Sequence, residues 1–166
     1  MRYKLIKFFS LFILIVSQYD AFPSNKDSIE FVLTMPVSEI QTSNDLRVDV
    51  SVKSNQILPL IMTKDAALGY VNEKIGFFRV QVQQKIGGKY IDIKHHGLID
   101  NAPTDLDTLY KGDLRKFDLS IRLLYHFIKG DYRIRILAAF SILNPSIKDS
   151  YSNWSYFTCK KEILIE

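Results

Sequence analysis

Apolar and polar side chains alternate residue by residue along most of this chain, and no other feature limits its fold as strongly. In the segment 46–53 every second residue is apolar, with charged or hydroxyl side chains between. A period of two is typical of a half-buried β-strand, because successive side chains of a strand point to opposite faces. The pattern predicts an all-β chain with seven strands, at residues 29–35, 46–53, 78–83, 90–95, 117–121, 132–140 and 154–157.

Seven short strands with no helices between them favour two antiparallel sheets packed face to face, although a closed barrel satisfies the same pattern. Enough apolar side chains are present to fill the space between two sheets, since 47% of the 166 residues are hydrophobic and the chain has 11 Phe and 9 Tyr. We therefore expect one globular domain with a substantial core.

Three connecting segments carry other signals. Gly87 and Gly88 lie between two predicted strands and predict a tight hairpin turn. Pro59 interrupts the apolar run 56–62, which favours an edge strand or a loop, and the segment 63–70 has room for one helical turn. The segment 98–113 shows no periodicity and contains four aspartates, so it is predicted to be a surface connection.

Residues 1–22 have the layout of a secretory signal peptide, an N-terminal helix removed on export. Arg2, Lys4 and Lys7 precede the apolar run 8–16, which is shorter than the roughly 20 residues of a membrane-spanning helix. We expect a secreted or periplasmic protein, cleaved between residues 17 and 24, whose mature domain covers residues 23–166. Membrane contact is expected only through this leader. The alternative is a buried first strand or helix.

The segment 123–136 indicates a particular kind of sandwich. An apolar stretch leads through Gly130 and Asp131 to Tyr132 at the head of a predicted strand. This resembles the tyrosine corner of immunoglobulin-like and fibronectin type III-like sandwiches, in which the tyrosine hydroxyl bonds to backbone a few residues upstream. The resemblance implies an immunoglobulin-like sandwich and structural roles for Gly130 and Tyr132. Ile134 stands where antibody-type domains have a disulfide cysteine, which implies a cysteine-free branch. The alternative is an ordinary tyrosine that enters a strand after a glycine turn.

The cysteine count and the charge balance exclude two further classes of protein. Cys159 is the only cysteine, so an internal disulfide framework is excluded. We expect a small buried side chain in the last strand, with an intermolecular disulfide or a reactive thiol as alternatives. Without residues 1–22 the chain has 19 basic and 17 acidic residues and no recognisable nucleic-acid motif. No nucleic-acid partner is therefore expected.

Groups for catalysis or metal binding are few. His95 and His96 are neighbours in a predicted strand and should point to opposite faces, and His126 is predicted at a different edge of the domain. Asp105 and Asp107 lack the further acidic positions of a calcium loop and are explained as loop residues. No nucleophile, zinc-protease or phosphate-loop motif is present. We therefore expect no enzyme, no metal and no cofactor.

The remaining candidate is a binding surface on one sheet. In an immunoglobulin-like arrangement the third, sixth and seventh strands share a sheet. Its predicted solvent face carries Arg79, Gln81, Gln83, Arg133 and Arg135, with Tyr156 or Phe157 from the last strand. Arginines beside aromatic side chains suit the recognition of proteins or acidic glycans. The alternative is a solvated polar face.

A second candidate is the loop 144–153, because sandwiches often carry function on loops. Tyr151 and Trp154 flank its far end and complete the set of candidate binding residues, with core or rim packing as the alternative role of Trp154. The sequence Asn153-Trp154-Ser155 is a glycosylation acceptor in a glycosylating secretory pathway.

These observations favour an exported, non-catalytic module that binds a protein or a surface polymer in an accessory or adhesion-type role. The alternative is a small proteinase-inhibitor-like protein that acts through a surface loop. Outer strands with unpaired backbone groups also allow a homodimer by edge-strand pairing.

Overall fold

The alternating segments fold into β-strands. The structure, a computed structural model, describes residues 28–64, 68–71, 76–96, 105–121 and 124–163. These residues contain two short 3₁₀ turns, Ser43–Asp45 and Phe140–Ile142. They also contain twelve strands, which are β1 (Ile29–Thr34), β2 (Glu39–Ile40), β3 (Arg47–Ser54), β4 (Leu60–Thr63), β5 (Leu68–Tyr70), β6 (Phe78–Ile86), β7 (Lys89–Asp92), β8 (Leu106–Leu109), β9 (Leu114–Ser120), β10 (Gly130–Ala138), β11 (Ser150–Tyr151) and β12 (Ser155–Cys159). The predicted all-β class is confirmed.

The strands form three sheets. A three-stranded antiparallel sheet has the order β1-β3-β9. A seven-stranded mixed sheet has the order β2-β12-β10-β6-β5, with β7 paired to β6 and β11 paired to β10. Strands β4 and β8 form the third sheet. The parallel pairs among the described strands are β2 with β12 and β5 with β6, at the two ends of the seven-stranded sheet.

Each of the seven alternating segments contains a strand, and the predicted hairpin is confirmed. Ile86 of β6 pairs with Lys89 of β7 across the turn formed by Gly87 and Gly88. Both glycines have positive φ angles, 57° and 81°, which glycine adopts without the steric penalty of a Cβ atom. A two-residue turn of this kind matches the twist of the flanking strands.

The described residues contain more strands than the seven that the sequence predicts. Strand β8 lies inside the segment predicted to be a surface connection, and β5 lies where a helical turn was expected. Strand β7 ends at Asp92, so that His95 and His96 follow the strand instead of belonging to it. The additional strands are two to four residues long, too short to display a period of two, and a partner strand defines each of them.

Aromatic rings connect the three-stranded and the seven-stranded sheets. Phe78 of β6 stacks on Phe31 of β1 with ring centroids 5.9 Å apart, and it meets Phe117 of β9 edge to face at 5.0 Å. Phe140 follows β10 and contacts Phe31 at 6.3 Å. These side chains belong to a single buried cluster, so the inward residues of the alternation form one continuous core.

The ring of Tyr132 lies in this core, and its hydroxyl hydrogen-bonds to the backbone of the turn before β10. Its hydroxyl donates to the Ile128 carbonyl oxygen at 2.8 Å and accepts from the Ile128 N–H at 3.1 Å. Its ring lies against Phe127 and Phe157, with centroids 5.3 Å from each. Gly130 begins β10 between the tyrosine and its backbone partner. One side chain therefore satisfies both backbone groups of a residue that lies outside the sheet.

Cys159 lies in β12 and is fully buried, with a free thiol. Burial raises the pKa of this thiol, and its Sγ donates to the carbonyl oxygen of Lys161. A buried thiol with a raised pKa is poorly reactive, so Cys159 acts as a small core side chain.

The predicted signal peptide, residues 1–22, lies outside the described residues, which begin at Ser28. Among the described residues, no helix has both the length and the apolar character that crossing a membrane requires.

Removing the hydroxyl in Tyr132→Phe should lower the free energy of unfolding by about 0.5–1.5 kcal/mol at neutral pH. Burial raises the pKa of Tyr132 from 10.0 to about 12. The contribution of the neutral Tyr132 hydroxyl to the free energy of unfolding is therefore complete below pH 10, and it is lost as the pH rises through about 12. Urea unfolding of both chains across this range measures the difference. Tyr156→Phe is the control, because Tyr156 is 55% exposed. Equal stability of Tyr132→Phe and wild type at neutral pH would contradict the structural role.

Candidate binding surface

Strand β10 supplies two arginines to the outer face of the seven-stranded sheet. Every second residue of β10 from Tyr132 onward is buried, so the intervening Arg133 and Arg135 point to the opposite face. Their neighbours across the sheet are Gln83 and Tyr156 for Arg133, and Gln81 for Arg135. The face predicted from the alternation is therefore present, and Tyr156 rather than the buried Phe157 lies on it.

Both arginines stack on aromatic rings. The guanidinium carbon of Arg133 lies 4.2 Å from the ring centroids of Tyr90 and of Trp154. The guanidinium carbon of Arg135 lies 3.8 Å from the ring centroid of Tyr151 and 4.4 Å from that of Trp154. Trp154 therefore lies within 4.4 Å of both guanidinium carbons, measured from its ring centroid. We call the row Tyr90, Arg133, Trp154, Arg135 and Tyr151 the arginine–aromatic ladder.

Glutamines hold the ladder from the neighbouring strand β6. Arg133 Nε donates to Gln83 Oε1 and Arg135 Nε donates to Gln81 Oε1, each at 2.7 Å. The amide groups of both glutamines donate in turn to Oδ1 of Asp92, at 2.9 and 2.8 Å. Stacking and hydrogen bonds together fix the plane and the direction of each guanidinium, which lowers the entropy that either would lose on binding a ligand.

Each fixed guanidinium still has N–H groups that can donate hydrogen bonds to a ligand. Within the described residues, neither Nη nitrogen of Arg133 or Arg135 makes a hydrogen bond to the protein. Each guanidinium can therefore present two N–H groups in one plane, the arrangement that binds a carboxylate with two parallel hydrogen bonds. Tyr151 and Tyr156 are 44% and 55% exposed, so aromatic surface lies beside these donors.

Tyr90 of the ladder and Asp92, which accepts from both glutamines, were not expected at this surface from the sequence, and one expected arginine lies elsewhere. Tyr90 and Asp92 come from β7, and their place became evident only with the register of the β6–β7 hairpin. Arg79 was predicted on the solvent face but is 8% exposed, and its Nε donates to the Gly76 carbonyl oxygen at 3.1 Å. The reason is local: Arg79 lies between two paired strands, opposite Gly69 of β5 and Leu137 of β10, and its bond to Gly76 holds the guanidinium against the backbone.

The loop 144–153 is fastened at both ends by asparagine side chains. Asn144 is buried and its carboxamide bonds to both backbone groups of Ile61, accepting at 2.9 Å and donating at 2.6 Å. The Asn153 carboxamide does the same for Leu33 of β1, at 2.9 Å in each direction. Each carboxamide thus pairs with a strand as a neighbouring strand would. A glycan on Asn153 would have to share the nitrogen that Leu33 already uses.

The histidines lie differently from the expectation. The rings of His96 and His126 have centroids 6.3 Å apart, so His126 is not at a separate edge. His126 Nε2 lies 3.0 Å from Oε1 of Glu162. No group of three or more metal-ligating side chains occurs in the parts of the chain that the structure describes. Asp105 and Asp107 form ion pairs with Lys64 and Arg115.

Comparisons of the chain with protein-family models, with curated proteins and with solved structures found no match.

Proposed function

We propose that this chain is an exported, non-catalytic immunoglobulin-like β-sandwich module that binds a partner protein through the arginine–aromatic ladder. The sandwich is supported by the aromatic contacts between the β1-β3-β9 sheet and the seven-stranded sheet. The immunoglobulin-like topology is supported by the hydrogen bonds of Tyr132 to Ile128. Export is supported by the leader-like residues 1–22.

One observation supports the binding role most strongly: two guanidiniums are held rigidly while their Nη groups remain unpaired within the described residues. Arginine, tryptophan and tyrosine are the residues that contribute most to the free energy of binding at protein interfaces. The ladder brings all three together, and little ordering is needed when the partner arrives.

A protein is favoured over a surface polymer as the partner. Recognition of a sugar ring commonly uses an open aromatic face, but two guanidinium carbons lie 4.2 and 4.4 Å from the centroid of the Trp154 ring and compete for stacking on it. The groups left for a partner are in-plane N–H donors, which suit Asp or Glu carboxylates, and the exposed rings of Tyr151 and Tyr156. This combination fits an acidic patch with apolar surroundings on a protein.

The other modes of action have less support. Proteinase inhibition by the loop 144–153 would need that loop to enter a cleft, yet its Tyr151 is engaged with Arg135. Homodimerisation by edge pairing stays a prediction, and at β1 the Asn153 side chain already bonds both backbone groups of Leu33.

The proposal is tested by capture from an extracytoplasmic extract. Arg133→Glu plus Arg135→Glu should abolish the capture of a protein that the wild type retains, with affinity reduced about tenfold or more, because each reversed charge would face the partner's carboxylates. Lys111→Glu plus Lys116→Glu is the matched control, since it changes the net charge equally at exposed positions outside the ladder.

A folding defect is separated from a binding defect by a second variant. Arg133→Lys plus Arg135→Lys keeps both charges but removes the planar donors, so it should also lose the partner while its thermal unfolding shows a folded domain. Retention of the same partner by both ladder variants would overturn the proposed function.

A further inference from the structure

Three large apolar side chains are exposed together at one end of the fold. Ile57 and Leu58 are 71% and 69% exposed, and Tyr110 is 62% exposed. These are the three highest exposures among the large hydrophobic side chains that the structure describes. We call Ile57, Leu58 and Tyr110 the apolar tip. A grouped set of exposed apolar side chains marks an interaction surface far more often than scattered ones do.

Two adjacent turns build the apolar tip. Residues 55–59 connect β3 to β4, and residues 110–113 connect β8 to β9. The turns are joined by hydrogen bonds between Ser54 and the second turn: Gly112 N–H donates to the Ser54 carbonyl oxygen at 2.7 Å, and Ser54 N–H donates to the Asp113 carbonyl oxygen at 3.0 Å. The β4–β8 pairing holds the two turns at the same end. No ladder residue lies on either turn.

The N-terminal part of the chain enters the fold at this same end. The described residues begin at Ser28, whose carbonyl oxygen accepts a hydrogen bond from the Asn55 N–H at 2.9 Å. Asn55 belongs to the turn that carries Ile57 and Leu58. The predicted leader, residues 1–22, therefore precedes the domain on the side of the apolar tip. Until it is cleaved, a leader that engages a membrane would keep this end of the domain near the bilayer.

Charges around the apolar tip are largely neutralised. Lys53 lies 3.8 Å from Glu30, and Arg115 is paired with Asp107. The carboxylate of Asp113 accepts a hydrogen bond from the Tyr110 N–H at 2.8 Å. Among the described residues, Lys111 forms no ion pair. Its long side chain can reach lipid headgroups while the apolar side chains enter the interface.

We infer that the apolar tip is a membrane-contact site, which inserts Ile57, Leu58 and Tyr110 into the interfacial region of a lipid bilayer. The exposed apolar side chains supply the driving force, and a tyrosine at the headgroup level is typical of proteins that contact a bilayer. Because the neighbouring charges are mostly paired, the contact should depend little on salt. This contact is additional to the leader, and it leaves the ladder face open to a partner protein.

The test places an environment-sensitive fluorophore on Leu58→Cys in the full chain and adds vesicles of equal parts phosphatidylcholine and phosphatidylglycerol. The native Cys159 is fully buried, so labelling is directed to the new thiol. The emission of the label should shift to the blue, and lipids brominated on their acyl chains should quench it. Ile86→Cys is the control, because Ile86 is also exposed, at 52%, but lies on the β6–β7 hairpin. Its label should stay solvated.

Three outcomes would overturn the inference. The first is a Leu58→Cys label that stays solvated on vesicle-bound protein. The second is an absence of vesicle binding by the full chain. The third is a blue shift that appears without lipid as the protein concentration rises, which would show that a second copy of the chain covers the apolar tip.

Discussion

Replacing Gly76 with alanine should lower the free energy of unfolding by about 3 kcal/mol, because the substitution combines two unfavourable effects. Gly76 has a φ of +83°, which is a strained conformation for any residue with a Cβ atom. An added Cβ would also lie 2.8 Å from the Gly69 nitrogen and 2.9 Å from the Gly69 Cα. Backbone atoms cannot rotate away, so β5 and its parallel pairing with β6 would have to shift.

Gly112→Ala is the control that separates these two effects. Gly112 has a φ of +93°, but no atom lies within 4 Å of its added Cβ. This variant should therefore lose only the conformational part, about 1–2 kcal/mol. Urea unfolding of both variants measures the difference. Equal losses would mean that β5 yields easily at Gly69, and the close packing at this edge of the sheet would be contradicted.

The same edge shows where sequence patterns stop being informative. The long strands β3, β6 and β10 were predicted because eight or nine residues each give room for several alternations of apolar and polar side chains. Strand β5 has three residues, one of them Gly69, and it pairs with β6 in parallel. Its structure depends on contact with β6, and no local pattern in a segment this short could indicate that contact.

The candidate binding surface was predicted in part for a related reason. The alternation in β10 placed Arg133 and Arg135 on one face, and that depends only on neighbouring residues of a single strand. Stacking against Tyr90 and Trp154 depends on how the four strands β7, β6, β10 and β12 align, which alternation does not specify. Arg79 shows the opposite error, since the period of two predicts an exposed side chain whereas Arg79 is buried and bonded to the Gly76 carbonyl oxygen.

The loop 144–153 shows that asparagine has two structural uses that a sequence pattern does not separate. It is a candidate binding loop in the sequence because sandwiches often carry function on loops. Its two end residues instead use their carboxamides to bond Ile61 and Leu33. Asparagine has one acceptor and two donors on a short side chain, so it suits both a solvated loop and the replacement of a missing strand neighbour. Composition cannot separate these two uses.

Asn144→Ala should accordingly lower the free energy of unfolding by about 2–4 kcal/mol, since two backbone groups of Ile61 would lose their partners. The side chain is 8% exposed and also donates to the Phe140 carbonyl oxygen at 3.2 Å. It therefore links β4 to the 3₁₀ turn that follows β10. Asn144→Asp keeps the acceptor for the Ile61 N–H but sets a buried carboxylate oxygen against the Ile61 and Phe140 carbonyl oxygens, so its loss should be at least as large as that of the alanine variant.

Ser146, two residues further along the same loop, provides the control, because it is exposed and its hydroxyl makes no hydrogen bond to the described residues. Ser146→Ala should stay within about 0.5 kcal/mol of the wild type. Hydrogen exchange supplies a readout that a general loss of packing would not reproduce: relative to the other amides of β4, the Ile61 amide should lose protection in Asn144→Ala but not in Asn144→Asp, which retains the acceptor. If all three variants unfold at the wild-type urea concentration, the carboxamide does not hold β4, and the β4–β8 pairing must be maintained by Leu60, Met62 and Leu109 in the core.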